Sequence, residues 1–313
     1  MTDVVVTGVG SIDASTGPYT RHPPSRGVRH LAPATRHALA AAELALAAAG
    51  LKPDSYPQVS QGVAIGTNFG GTATLARMDR SVIEQGAAGL RPIEAPNFAA
   101  NLPGSHVSIR YGLKAMNLTL TTPLVAGLQA VLQAGAALRS GRALMMLAGA
   151  TEGTPPPEWA TTVSTAGGTA VSPAGGVPVT EGGCCLLTLE TGSEAGQRAL
   201  SRIGSGTSWF LPPSLCRDGE GRRRLRGLAG EGVRRLLRRD GDVLLIAPAH
   251  PLGEIVTEAL RDQGAAVTVS NDVTSASMAP LLALTGALAR HRPTLLAAVS
   301  PNGHIAAVSI EHD

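Results

Sequence analysis

His250, His304, Asp272, Ser275 and Ser277 are the side chains of this sequence whose types could work together chemically. A histidine that reaches a hydroxyl and is oriented by a carboxylate can move a proton and activate a nucleophile. Convergence of His250 and His304 near Asp272, with Ser275 or Ser277 as the hydroxyl, would serve a decarboxylase, acyltransferase or cyclase. A lone histidine is a poor functional signal, however, and His250 reads first as a structural residue. The 3 cysteines add little, because Cys184 and Cys185 are adjacent in a run that reads as a buried strand. Their number and spacing suit neither a zinc site nor a disulfide framework, so no metal and no cofactor is expected.

Charge marks one further stretch. The formal net charge is +3, and Lys52 and Lys114 are the only lysines. Arginines crowd the run from Arg217 to Arg239, which includes Arg222-Arg223-Arg224, Arg226, Arg234-Arg235 and Arg238-Arg239. The simplest reading is an amphipathic helix with Leu225, Leu228, Val233, Leu236 and Leu237 inward and arginines in water. The same patch would also steer an acidic partner. It lacks interleaved aromatics, so nucleic-acid binding is not expected.

The elements that must position these residues alternate. Val4–Thr7, Gly62–Thr67, Leu144–Ala148 and Leu186–Glu190 read as strands, with helices over Ala34–Ala49 and Ala126–Arg139. The alternation repeats with strand Val243–Ala247, helix Leu252–Gln263, strand Ala266–Ser270, helix Met278–Ala289 and strands Leu295–Ser300 and Ile305–Glu311. Such alternation implies an α/β fold with crossover connections and a sheet covered on both faces. The 313 residues exceed a typical single core, which leaves two fused halves or one large unit. A 43% hydrophobic content with 3% aromatics implies a core of Ala, Leu and Val with closely packed helices. Segments 13–33 and 151–183, rich in Gly, Pro, Ser and Thr, read as loops. No apolar run reaches the roughly 18 residues of a membrane span and no secretion signal opens the chain, so a cytoplasmic protein is expected.

The most informative stretch is Leu118-Thr119-Leu120-Thr121-Thr122-Pro123-Leu124-Val125-Ala126-Gly127. It follows Asn101-Leu102-Pro103-Gly104-Ser105-His106-Val107-Ser108-Ile109-Arg110-Tyr111-Gly112-Leu113 and precedes a small-residue helix ending at Leu147-Ala148-Gly149-Ala150-Thr151-Glu152. That succession resembles the β-ketoacyl synthases of the thiolase fold, in which a similar S-I-R-x-G-L stretch leads into T-A-C-A-S-G. Val4-Val5-Val6-Thr7-Gly8-Val9-Gly10-Ser11, Gly62-Val63-Ala64-Ile65-Gly66-Thr67-Asn68-Phe69-Gly70-Gly71 and Glu181-Gly182-Gly183-Cys184-Cys185-Leu186-Leu187-Thr188-Leu189-Glu190 match further family segments in order. Asn302-Gly303-His304-Ile305-Ala306-Ala307-Val308 is similar to the family's F-G-G-x-N-A.

The resemblance implies a thiolase-like αβαβα fold with pseudo-symmetric halves over 1–190 and 191–313, the second shortened, forming one compact unit. It places Leu124 at the position of the acyl-accepting cysteine, where leucine has no lone pair to offer a thioester. It puts Asp272 at one family histidine and Val267 near the family lysine, while His250 matches the other histidine and is vestigial. An ionised aspartate would repel the enolate that condensation develops. The resemblance then narrows to the chain-length factor, the inactive partner of a ketosynthase in type II polyketide synthesis. It implies a heterodimer with a cysteine-bearing ketosynthase and contact with an acyl carrier protein. Positions that gate chain length would be Thr72, Leu75 and Asp79, on one helical face. Asp79 either lines the acyl tunnel or belongs to the solvated charged run Arg77–Arg80. The lack of aromatic gates and the shortened frame resemble the highly reducing, polyene-forming branch. Edge strand Asn117-Leu118-Thr119-Leu120-Thr121 would join the partner's sheet. The alternative is an independent thiolase-fold enzyme using His250 and His304, and a third reading is a purely structural pseudo-synthase.

Overall fold

The computed structural model describes residues 2–12, 30–52, 54–156, 182–237, 242–289 and 294–312. Strands are β1 (Val4–Ile12), β2 (Gln61–Gly66), β3 (Asn117–Leu120), β4 (Met145–Glu152), β5 (Gly183–Thr191), β6 (Ser201–Phe210), β7 (Asp242–Ile246), β8 (Ala266–Ser270), β9 (Thr294–Val299) and β10 (His304–Glu311). Helices are α1 (Pro33–Ala48), α2 (Thr72–Gln85), α3 (Leu102–Tyr111), α4 (Ala126–Arg139), α5 (Gly192–Ala195), α6 (Gly219–Arg234), α7 (Pro251–Asp262) and α8 (Ala279–Leu288).

The strands share one hydrogen-bonded sheet in the order β3-β2-β4-β5-β1-β6-β10-β9-β7-β8. Read outward from the β1/β6 junction, each side repeats one pattern of connections. On each side a pair of parallel crossovers builds the outer strands, and an antiparallel strand lies next to the junction strand. The junction itself is slight, with Val4, Val5 and Val6 opposite Ile203, Arg202 and Ser201.

Two observations show that the sheet folds over at this junction. Helix α4 packs against β2 and β4 on one side and against β10 and β6 on the other. At about 4.8 Å per strand a flat sheet would hold β2 and β10 about 24 Å apart, twice the width of a helix. Side-chain parity agrees. In β2 and β4, Val63, Ile65, Met145 and Leu147 face α1 and α3, while Ala64, Met146, Ala148 and Ala150 face inward onto α4. In β9 and β10, Leu295, Ala297, Ile305 and Ala307 face α6 and α7, while Leu296, Ala298, Ala306 and Val308 face the same interior. Three apolar layers therefore alternate with two β-leaves, the thiolase-like αβαβα arrangement. Helices α4 and α8 fill the middle because their Ala-rich surfaces are apolar nearly all round.

Several elements differ from expectation. β1 and β5 run longer, and Thr151, Glu152 and Gly183 belong to strands rather than to a loop. Most of both loop segments, 13–29 and 157–181, lies outside the described residues. Helix α8 starts at Ala279, preceded by a 3₁₀ turn over Ala276–Met278. The arginine run does form an amphipathic helix, α6, that buries Leu225 and Val233. Leu228, expected inward, is instead 39% exposed. It sits about 60° round the helix from Leu225, on the flank of the buried stripe, and Ala229 takes the inward place. Arg238 and Arg239 lie outside the described residues.

Candidate functional site

The C-terminal ends of the parallel strands β2, β3 and β4 converge on the start of α4, where open α/β sheets place their functional groups. The chain leaves β3, passes Thr122 and Pro123, and turns sharply at Leu124, whose φ is 65°. Val125 N donates to Pro123 O at 2.8 Å and Ala126 N to Thr122 O at 3.0 Å, which locks the turn into α4. A left-handed leucine costs about 1–2 kcal/mol, so the surrounding packing must hold it. Its side chain is 2% exposed and lies in the central layer with Val125 and Leu128. Close packing of the elbow depends on Gly127, where a Cβ would come within 2.4 Å of Ser277 O. The other described non-glycine residue with positive φ is Ala276 (φ 47°), just before α8. Both central helices thus begin after a left-handed residue, and neither residue carries a nucleophile.

Beside the elbow lies a fully buried carboxylate. Glu152, at the end of β4, accepts from Phe69 N at 2.7 Å, from Asn68 N at 2.9 Å and from the Ser277 hydroxyl. Burial pushes its pKa up, against the pull of these donors. Nearby, Thr151 Oγ1 donates to Ala34 O at 2.7 Å, and burial lowers the pKa of His37 on the same first turns of α1. Glu152 therefore brackets the β2–α2 turn to the Ser277 turn of the second leaf. The sequence signal for it is an acidic residue just past the apolar run 145–150.

The residues expected to do chemistry are at one end of the second leaf but are engaged separately. His250 caps α7, its Nδ1 accepting from Leu252 N at 3.2 Å, and burial lowers its pKa. The ring of His304 tilts against Phe210 with centroids 5.2 Å apart. Asp272 is exposed and accepts from Thr274 N at 3.2 Å and Thr274 Oγ1 at 2.7 Å, a local turn. Ser275 is buried, and Ser277 serves Glu152. Val267 is half-buried on β8. Among the described residues no hydrogen bond joins these groups into a relay, and no cluster of three or more metal-ligating side chains forms.

Thr72, Leu75 and Asp79 all lie on α2. Thr72 Oγ1 donates to Phe69 O at 3.0 Å, while Leu75 and Asp79 face outward. Helix α2 fully buries only Thr74 and exposes Leu75 (45%), Val82 (45%) and Ile83 (76%). Asp79 falls within that apolar stripe, and Arg77 pairs with Glu94. Among the described residues strand β3 pairs only with β2, so Asn117, Leu118, Thr119 and Leu120 lie on an edge of the sheet, with Thr121 just beyond it. The large exposed apolar side chains gather mostly in this part of the fold, with Ile93, Phe98 and Ile109 joining those of α2.

Against known proteins, residues 3–188 match the family model for the β-ketoacyl synthase N-terminal domain, more than half of the 313 residues. The chain belongs to the β-ketoacyl synthase family. Among curated relatives, 3-oxoacyl-[acyl-carrier-protein] synthase 2 of Rhizobium meliloti (strain 1021) is 35% identical over 125 residues, 40% of this chain and 30% of that protein. Nodulation protein E of Rhizobium leguminosarum bv. trifolii is 33% identical over 115 residues, 37% of this chain and 29% of that protein. These matches span under a third of the curated relatives' length. Solved ketosynthase-fold structures cover nearly the whole chain. A type II polyketide acyl-carrier protein complexed with its ketosynthase, AntDE:AntF, superposes with TM-score 0.80 at 20% identity, covering 100% of this chain and 99% of the other. The ishigamide ketosynthase/chain length factor gives 0.75 at 20% identity, covering 99% of each. A β-ketoacyl synthase from Burkholderia phymatum STM815 gives 0.76 at 16% identity, covering 100% of each. At these identities the structures establish the fold. No helix among the described residues is long and apolar enough to cross a membrane.

Proposed function

We propose that this chain is the noncatalytic, chain-length-factor-like subunit of a type II polyketide ketosynthase, and that a cysteine-bearing ketosynthase is its partner. One observation carries the reading: the strained elbow of the family ends in Leu124, a side chain that cannot accept an acyl group. The halves 1–190 and 191–313 act as one unit. The β3 edge and the apolar face of α2 join the partner, and Thr72, Leu75 and Asp79 reach its acyl tunnel from across the interface. An open strand edge beside exposed apolar side chains supports a partner, because it is an aggregation hazard when bare. A second copy of this chain would pair two elbows without a nucleophile, which favours the heterodimer. The independent-enzyme alternative needs His250 and His304 to act together, and each is occupied elsewhere.

The test is co-expression with a cysteine-bearing ketosynthase, read by native mass spectrometry. A one-to-one complex that depends on both chains supports the assignment. A homodimer or monomer that ignores every such synthase overturns it.

A further inference from the structure

Helix α6 spends its arginines in two ways. Arg222 and Arg226 turn toward α7, where Arg222 pairs with Glu254 at 3.4 Å and Arg226 with Glu258 at 3.2 Å and with Asp262. That side of the helix is electrically closed. On the opposite side Arg223, Arg224, Arg234 and Arg235 are all exposed, against Glu220 and Glu231. Their positions around the helix place them on one face with Leu228, which is 39% exposed, and Gly227.

Gly227 is the informative member. Of the other glycines of this helix, Gly219 only opens it, Gly221 lies against Leu215 O (2.2 Å from an added Cβ), Gly232 against the Trp209 ring (2.7 Å) and Gly230 near Gln263 (3.4 Å). An added Cβ at Gly227 meets nothing within 4 Å. A glycine weakens a helix interior, and this one has no neighbour among the described residues that requires it. It leaves a shallow notch between two pairs of arginines, beside an exposed leucine and one turn from the exposed Glu231. A basic face with a notch at its centre fits an approaching helix that is acidic along its flanks and close-packed at its middle.

We propose that this face of α6 is the docking surface for an acyl carrier protein, an acidic protein whose surface helix lies over Gly227 between the arginine pairs. The identity of that protein rests on the function proposed above; the charge and shape of the face do not. Long-range attraction to the arginines sets the association rate, and Gly227 with Leu228 sets the closeness of the final contact.

The experiment uses a phosphopantetheinylated type II acyl carrier protein as probe, with association measured against the intact one-to-one complex at low and high salt. Reversal of charge in R223E/R224E/R234E/R235E is expected to slow association about tenfold or more and to remove most of its salt dependence. Gly227→Phe, which fills the notch, is expected to speed dissociation and leave the salt dependence intact. Native mass spectrometry and thermal melting of each variant confirm that the complex and the fold persist; the milder R234Q/R235Q serves where the reversal misfolds. Equal binding by wild type and the charge variants overturns the proposal. If the complex itself never forms, the proposed function fails and the same probe is applied to the chain alone. Salt-sensitive binding lost in R223E/R224E/R234E/R235E then still supports the face, and no binding overturns it.

Discussion

Replacing Leu75, Val82 and Ile83 together by serine tests the interface on α2 quantitatively. Burying a large aliphatic side chain completely is worth about 1.5–3 kcal/mol. Leu75 and Val82 are 45% exposed and Ile83 is 76% exposed, so a little over half of the summed gain remains to be made by a partner. Scaled by exposure, the three together hold about 2.5–5 kcal/mol, which is roughly a 60- to several-thousand-fold change in Kd. Incomplete coverage at the rim brings the expected weakening to about a hundredfold. By the same scaling the free chain loses the share its own packing already supplies, about 2–4 kcal/mol, so the triple variant is compared only where the free chain remains folded. The assay is a titration of each form against the cysteine-bearing partner by biolayer interferometry, with urea unfolding of the free chain as control. A Kd within threefold of wild type, on a folded triple variant, refutes the placement of α2 in the interface.

Other outcomes follow from the same structure. Asp79→Ala in the complex is expected to change product length or yield, read by mass spectrometry of the polyketide; identical products remove Asp79 from the gate. Leu124→Gly should be at least as stable as Leu124→Ala in urea, because relief of the left-handed strain (about 1–2 kcal/mol) offsets glycine's usual cost of about 0.5–1. A glycine variant clearly less stable than alanine contradicts that elbow. Arg198 makes bonds of 2.7 and 2.8 Å to the fully buried Glu190, which also holds Thr7 and Tyr56, whose pKa is pushed up to about 12. Arg198→Ala should therefore cost roughly 2–4 kcal/mol, allowing for the partial exposure of the guanidinium, and adding Glu190→Gln should recover part of it. Burial lowers the pKa of His250, so the unfolded chain takes up its proton first; this contribution is complete above pH 6.5 and declines as pH falls toward the lowered value. His250→Ser keeps a capping acceptor and should flatten that part of the stability profile, measured by thermal melting from pH 7.5 to 5; an unchanged slope counts against the cap.

Much of the fold is legible along the chain, and what is hidden is hidden for local reasons. Strands β2, β4, β7 and β9 declare themselves because apolar residues buried on both faces form short continuous runs between glycines and polar turns. Strand β6 does not, since Ser201-Arg202-Ile203-Gly204-Ser205-Gly206-Thr207-Ser208-Trp209-Phe210 has the composition of a loop and is held by pairing with β10. Helix α3 is masked by Pro103 and Gly104, although proline is well placed in a first turn and Gly104 lies against the Asn117 side chain. The elbow was readable from motif order, but its strain at Leu124 was not, because φ depends on how β3 and α4 are held. Glu152 was harder still. Its donors come from Asn68 and Phe69, 84 and 83 residues away, and from Ser277, 125 residues away, so only the folded chain brings them together.

The bracket around Glu152 explains how an elbow without a nucleophile can remain worth its strain. A carboxylate with no exposed surface is costly to bury, and each hydrogen bond from Asn68, Phe69 and Ser277 offsets part of that cost only while the turns stay where they are. The Asn68–Phe69 turn is also the anchor of α2, because Phe69 O receives the Thr72 hydroxyl at the first residue of that helix. The Ser277 turn, in its place, packs on Gly127 and so fixes the start of α4 two residues after Leu124. Leu124 in turn sets the path by which β3 enters α4. One buried acid thus holds both surfaces proposed to meet a partner, the stripe on α2 and the edge of β3, in a fixed relation. Under the proposed function, rigidity that a condensing enzyme would spend on orienting a thiol is available to orient an interface.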